Sequence, residues 1–127
     1  MAKTLQIVTH AYRCTIEEQD DPTVWITHAL EGAGADLGVL LRGNAVNSAV
    51  QGQDASGLSF GSMVQTQPPR IDRDVAALLA KGIDVYVVSC DARERGLEDA
   101  SFVEGIKTVE RSGVAGLMDQ FDRVWSW

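Results

Sequence analysis

Three short apolar runs, separated by segments with helical spacing, constrain the fold of this 127-residue chain most strongly. The runs lie within Thr4–Thr9, Ala35–Arg42 and Ile83–Ser89. Continuous apolar strands of this kind are typical of parallel sheets that are buried on both faces. Because helical segments alternate with the strands, we expect a mainly parallel α/β sheet with helices on both of its faces.

Two segments between the strands have the spacing of amphipathic helices. Asp21 and Pro22 offer an N-cap and a proline at the first helical position, which predicts a helix from Pro22 to about Ala33. A second helix is predicted after Pro68-Pro69, ending near Gly82. The apolar positions that define the two helical faces are Trp25, Ile26, Ala29, Leu30 and Ala33 in the first helix, and Ile71, Val75, Leu78 and Leu79 in the second.

Two less regular segments lie between these elements. Asn44 is predicted to cap a short helix that ends at Gly52. The following stretch, Gly52–Pro69, is polar and rich in glycine and serine, which predicts a mobile loop. A long polar loop is also expected over His10–Asp21, directly after the first strand.

The last third of the chain has a weaker pattern. Ala92–Leu97 is predicted to be a short helix, and Gly105–Val109 either a strand or an extended connection. Ser112 is predicted to cap another helix, and Arg123–Trp127 to form the last strand. The chain is therefore expected to form one domain, residues 1–127, with a five-stranded sheet.

Composition excludes several classes of function. The formal net charge of −7 argues against a surface built to bind nucleic acid, because such surfaces usually carry a basic patch. The first apolar run is too short for a secretory signal or a membrane span, so we expect a cytoplasmic protein without a membrane partner. In such a protein the two cysteines, Cys14 and Cys90, are expected to be reduced thiols rather than a disulfide.

Cys90 is the strongest candidate for a chemical role. It lies where the third apolar run meets a polar segment, and ligands of open α/β sheets bind at the carboxyl ends of the strands. Amides at a following helix start would stabilise a thiolate, with Arg93 and Arg95 adding positive charge and Asp91 opposing it. The alternative is that Cys90 is a small buried hydrophobe at the end of a core strand.

The glycine-rich segments do not predict a nucleotide cofactor. Gly32–Gly38 precedes a strand, whereas dinucleotide-binding loops follow a strand and open a helix. The loop Gly52–Ser62 lacks the Gly-Lys-Ser/Thr ending of a phosphate-binding loop. We therefore expect no obligatory cofactor.

The order of elements, together with Val87-Val88-Ser89-Cys90 and Arg95-Gly96-Leu97, resembles the DsrE/DsrF-like sulfur-relay family. This resemblance implies a flavodoxin-like domain that assembles as a trimer or hexamer, or with other subunits. It also implies that Cys90 passes persulfide sulfur between donor and acceptor proteins. Further matches are Asn44-Ala45-Val46, Val103-Glu104-Gly105-Ile106 and Asp122-Arg123-Val124.

Three residues after the first strand are weighed as supporting groups. Cys14 is either a second relay thiol or a fortuitous loop cysteine, because its distance from Cys90 is not determined by the sequence. His10 is either a base near the thiol or an exposed loop histidine. Tyr12 either lines the crevice or packs only against neighbouring loops. The cysteines and histidines lack the paired spacing of zinc sites, so no metal site is predicted.

These observations lead to two hypotheses of different classes. In the first, the protein is a sulfur carrier or sulfurtransferase subunit in which Cys90 holds sulfur as a persulfide and yields it to an acceptor thiol. In the second, it is a noncatalytic oligomeric module of the same fold, which binds a small molecule or regulates a partner, and Cys90 is structural.

Overall fold

A parallel sheet of five strands organises the chain, as seen in a computed structural model that describes residues 2–13, 17 and 21–127. The predicted five-stranded α/β architecture is confirmed. When the five strands are numbered along the chain, their order in the sheet is 4-3-2-1-5, whereas flavodoxin has the order 2-1-3-4-5. The chain therefore shares with flavodoxin a parallel sheet between layers of helices, but not the order of the strands. The strands are β1 (Lys3–Val8), β2 (Asp36–Leu41), β5 (Asp84–Val88), β6 (Lys107–Val109) and β7 (Arg123–Ser126).

Two helices, α1 (Pro22–Gly32) and α2 (Ile71–Ala80), pack on one face of the sheet. The predicted cap of α1 is present, because the Asp21 carboxylate accepts hydrogen bonds from the amides of Thr23 and Val24 at 2.9 and 3.3 Å. A cap of this kind satisfies amides that have no partner within the helix. The apolar core on this face includes Val24, Val39, Leu41, Val75, Leu78, Val85 and Val87.

The buried amide of Gln6 connects the sheet to α1 and to the end of the chain. Its Nε2 donates to the hydroxyl of Thr27 at 2.5 Å, and its Oε1 accepts from the indole of Trp127 at 2.9 Å. A buried amide is costly without such partners. The network therefore helps to position the terminal residues beside β1.

The opposite face of the sheet is covered by the short helix α4 (Val114–Met118) and by Phe121. Gly38 makes this packing possible, since a Cβ atom built there would lie 2.7 Å from the Cζ atom of Phe121. The absence of a side chain at Gly38 thus lets the aromatic ring lie against β2. The buried residues of this second cluster are Leu5, Ile7, Leu40, Val88, Val114 and Leu117.

The prediction of an irregular loop over Gly52–Pro69 is wrong in part. This segment contains a small antiparallel hairpin of β3 (Ser59–Phe60) and β4 (Met63–Val64). Gly61 has a φ of 62° at the first position of the two-residue turn, where hairpin turns favour glycine. The Gly-Ser turn between Phe60 and Met63 was the available signal, but the two flanking strands are too short to show periodicity.

Three shorter elements also differ from the predictions. Asn44 does not cap a helix, because a 3₁₀ segment over Gly43–Ala49 begins one residue earlier and has no side-chain cap. Ser112 lies within a 3₁₀ turn and Gly113 precedes α4, again without a side-chain cap. The helix predicted over Ala92–Leu97 is α3 (Ser89–Glu94), which begins directly after β5.

None of the helices within the described ranges is both long and apolar enough to cross a bilayer.

We predict that Gly38→Ala lowers the free energy of unfolding by about 1–3 kcal/mol, because the new methyl group displaces the Phe121 ring. Phe121→Leu removes the ring atoms that are in the way, so the double variant should lose less stability than the sum of the two single variants. Denaturant unfolding measures all three. Gly32→Ala is the matched control, since its Cβ would meet nothing within 4 Å. Strict additivity of the two changes would contradict this account of the packing.

Candidate functional site

The candidate site lies at the carboxyl edge of three neighbouring strands. Arg42 follows β2, the segment Ser89–Asp91 follows β5, and Glu110 and Arg111 follow β6. Because parallel strands end at the same edge of a sheet, these residues converge although they are distant in sequence. The edge is therefore rich in charged groups.

The buried carboxylate of Asp91 holds this edge together. Its Oδ2 accepts a hydrogen bond from the Gly43 amide at 2.7 Å, and its Oδ1 accepts one from Nη2 of Arg111 at 2.5 Å. Burial alone would raise the pKa of Asp91, but the bonds from Gly43 and Arg111 outweigh it, so the pKa is lowered. The ionised side chain thus links the segments that follow β2 and β6 to α3.

Exposed ion pairs surround this buried group. Arg111 also contacts Glu94 at 3.1 Å, and Arg93 donates two hydrogen bonds to Glu110 at 3.3 and 3.2 Å. The hydrogen bonds from Arg93 lower the pKa of Glu110. Exposed pairs contribute little to stability. Their main effect here is to hold the two guanidinium groups in defined positions.

Cys90 is the second residue of α3 and is half-buried. Its side chain packs against the apolar cluster that includes Val88, Val114 and Leu117. The hydrogen bonds to Asp91 and Glu94 are the main causes of the raised pKa of Arg111, and the negative charge of a Cys90 thiolate adds to them. Cys90 is thus half-buried against an apolar cluster, two residues after β5, and interacts electrostatically with Arg111.

Arg93 and Arg95, both predicted to support Cys90, have different environments. Arg93 interacts electrostatically with Cys90, after its stronger interaction with Glu110. Arg95 instead donates from Nε to the side-chain oxygen of Asn44 at 2.9 Å and from Nη1 to the Asp91 carbonyl at 3.1 Å. Arg95 therefore connects α3 to the 3₁₀ segment.

The groups predicted after β1 are not brought together with Cys90 in the part of the chain that the structure describes. His10 is exposed. Tyr12 has a φ of 57°, and its hydroxyl donates to Oε1 of Gln53 at 3.1 Å. It lines a separate pocket with Gln53, Pro69 and others. Cys14 lies outside the described residues.

A pocket of about 250 Å³ opens beside the Asp91 network. Sequence reasoning missed two of its residues, Arg42 and Arg111. Arg42 is the last residue of the second predicted strand and Arg111 lies two residues after Val109, and this position at strand ends was the signal that could have found them. The full lining consists of Arg42, Val88, Asp91, Arg111, Val114, Ala115 and Met118.

The described residues contain no group of three or more His, Cys, Asp or Glu side chains placed to hold a metal ion. His28 lies on α1, with its Nε2 3.3 Å from the carbonyl oxygen of Asp74 on α2. It is thus engaged in packing between the two helices.

Comparison with known proteins supports the fold. The architecture is that of a parallel α/β protein with ligand-binding potential at the carboxyl edge of its sheet. No family model matches the chain, and no curated protein matches it. The chain is similar to a crystal structure of the ychN protein from E. coli, with a TM-score of 0.77, 19% identity and 100% of both chains covered. At this identity the likeness shows the fold alone.

We predict that Asp91→Ala lowers the free energy of unfolding by about 1–3 kcal/mol at neutral pH, because the Gly43 amide and Arg111 lose a buried acceptor. The pKa of Asp91 is lowered in the folded state. Its contribution is therefore complete above the unfolded-state pKa of about 3.9 and is lost as the pH falls through the lower folded-state value.

Urea unfolding of both proteins between neutral and strongly acidic pH measures this difference. The gap between wild type and variant should narrow in acid. Asp99→Ala, at an exposed carboxylate on the loop after α3, is the control and should change stability by less than about 0.5 kcal/mol. An equal loss at Asp99, or a gap that widens in acid, would contradict the role assigned to Asp91.

Proposed function

We propose that this protein is a sulfur carrier of the DsrE/DsrF-like kind, in which Cys90 accepts and donates sulfane sulfur. The observation that carries the proposal is the position of Cys90: half-buried in the first turn of α3, at the carboxyl edge of the sheet, with Arg93 and Arg111 nearby. The full-length fold similarity to another α/β protein is compatible with this assignment.

The transfer consists of two exchanges of the same type. The Cys90 thiolate attacks the outer sulfur of a donor persulfide, R–S–SH; the S–S bond of the donor breaks, and R–S⁻ leaves. The product is Cys90–S–SH, whose hydrogen remains on the transferred sulfur. An acceptor thiolate then attacks that outer sulfur and releases the Cys90 thiolate. No external oxidant or reductant is consumed in either exchange.

The surroundings of Cys90 suit a sulfur anion. Arg93 and Arg111 interact electrostatically with Cys90, and carboxylate partners hold both guanidiniums in place. The apolar cluster below the cysteine shields one side of the sulfur from water. These features support the relay role of Cys90 over that of a residue that only fills the core.

Donor and acceptor proteins, a cytoplasmic location and assembly into a trimer or hexamer belong to the same proposal. An exposed apolar surface supports assembly: Val124, Trp125 and Trp127 at the β7 edge are 41%, 39% and 44% exposed. Aromatic side chains of this size are enriched in protein interfaces.

A noncatalytic binding module remains the second candidate, because the pocket beside Cys90 is open to a small molecule whether or not sulfur is transferred. In that case a ligand would bind without any covalent change at Cys90. The two candidates therefore differ in one measurable quantity, the mass of the protein after exposure to a sulfur donor.

We predict that treatment with a persulfide donor adds one sulfur, about 32 Da, to the wild-type protein and that Cys90→Ser abolishes the gain. Intact-protein mass spectrometry measures the addition, and peptide mapping assigns it to a residue. Cys14→Ser is the matched control and should keep the added sulfur on Cys90.

A circular dichroism spectrum equal to that of wild type would show that Cys90→Ser is folded. Retention of the added sulfur by folded Cys90→Ser would overturn the assignment of the site. A wild-type protein that gains no sulfur from several donors, while binding a small molecule noncovalently, would favour the binding module.

A further inference from the structure

The charged residues of the pocket beside Cys90 are not all paired. Of the arginines within the described ranges, Arg42 alone is half-buried and makes no hydrogen bond or ion pair through its side chain. The other arginines without such a partner, Arg73 and Arg123, are exposed. The sealed polar side-chain atoms without a partner in the described residues are Nε of Arg70 and Oδ1 of Asp72, so the guanidinium nitrogens of Arg42 reach solvent. Arg42 is therefore a free cationic group that a dissolved anion can contact.

Arg111 adds a second cationic group to the same pocket. Its Nη2 is occupied by Asp91 and Glu94, whereas its Nε and Nη1 make no hydrogen bond within the described part of the chain. The lining carries two positive charges, Arg42 and Arg111, and one negative charge, Asp91, and Glu94 outside the lining also pairs with Arg111. The charge without a partner is that of Arg42, which one anionic group of a ligand would neutralise.

The rest of the lining is apolar. Val88, Val114 and Met118 form the apolar wall of the pocket. An inorganic oxyanion would use only the charged part, whereas a small organic anion would also cover the apolar surface and gain from its burial. At about 250 Å³ the pocket is smaller than a typical drug-binding cavity, so the ligand is expected to be small.

We propose that this pocket binds the anionic group of a small organic monoanion, with Arg42 and Arg111 holding a carboxylate or sulfonate. Cys90 does not line the pocket itself, but it directly precedes the lining residue Asp91 and interacts electrostatically with Arg111, so an anion bound there lies near the thiol. The class of ligand follows from the proposed function and rests on it. If Cys90 is a sulfur carrier, the ligand is a low-molecular-weight persulfide that carries an acidic group.

Two alkylating reagents test the pocket without any sulfur transfer. Iodoacetate is an anion and iodoacetamide is its neutral analogue, and both react with Cys90 by displacement of iodide. The measured quantity is the rate constant of iodoacetate at Cys90 divided by that of iodoacetamide, read by peptide mass spectrometry. We predict that this ratio falls on the order of fivefold in Arg42→Gln, the effect of losing one accessible ion contact.

Two further variants control for charge and for folding. Arg73→Gln removes an exposed, unpaired arginine on α2, with the same change in net charge, and should leave the ratio unchanged. Arg42→Lys keeps a positive charge and should retain part of the preference for iodoacetate. A ratio in Arg42→Gln equal to that of wild type, or an equal fall in Arg73→Gln, would overturn the anion site.

A competition experiment tests the chemical class of the ligand. Butyrate should slow the reaction of Cys90 with iodoacetamide more than sulfate does at equal ionic strength, because only butyrate covers the apolar wall. Equal protection by sulfate would overturn the organic part of the proposal. None of these reactions uses a persulfide. The proposed anion site can therefore be disproved while sulfur transfer to Cys90 is observed, and sulfur transfer can be disproved while the anion site is confirmed.

Discussion

The buried Asp91 carboxylate is the interaction on which the edge of the sheet depends. It accepts hydrogen bonds from the Gly43 amide and from Arg111, so one side chain joins the segments that follow β2 and β6 to the first turn of α3. The hydrogen bonds outweigh the unfavourable effect of burial and keep the group ionised. Without this carboxylate the Arg111 guanidinium would lose its strongest partner, and the charge beside Cys90 would lose its defined position.

The pairing of charges around Asp91 also determines what the pocket offers to a ligand. Arg93, Arg95 and Arg111 all contact acceptors of the protein itself, whereas Arg42 does not. Carboxylates that orient an arginine satisfy part of its hydrogen-bonding capacity and reduce its net charge toward a ligand. Arg42 retains its full charge and lines the same pocket as the apolar wall. Electrostatic attraction and apolar burial are thus available to the same small molecule.

Local signals in the sequence predicted those elements whose cause is local. Asp21 followed by Pro22 predicted the start of α1 correctly, since a cap depends on a few adjacent residues. Asn44 is also a good capping residue, yet its side chain accepts from Arg95, fifty-one positions away, and the cap is not formed. The hairpin over residues 59–64 was missed because two-residue strands show no measurable periodicity.

The amino-acid sequence by itself determined the alternation of strands and helices, the parallel sheet and the position of Cys90 just after a strand, because apolar spacing and strand ends are properties of neighbouring residues. Only the tertiary structure decided which charges surround that cysteine. Arg42 and Arg111 are sixty-nine positions apart and meet because β2, β5 and β6 lie side by side and end at one edge. Strand order, which spacing does not specify, therefore determines the composition of the site.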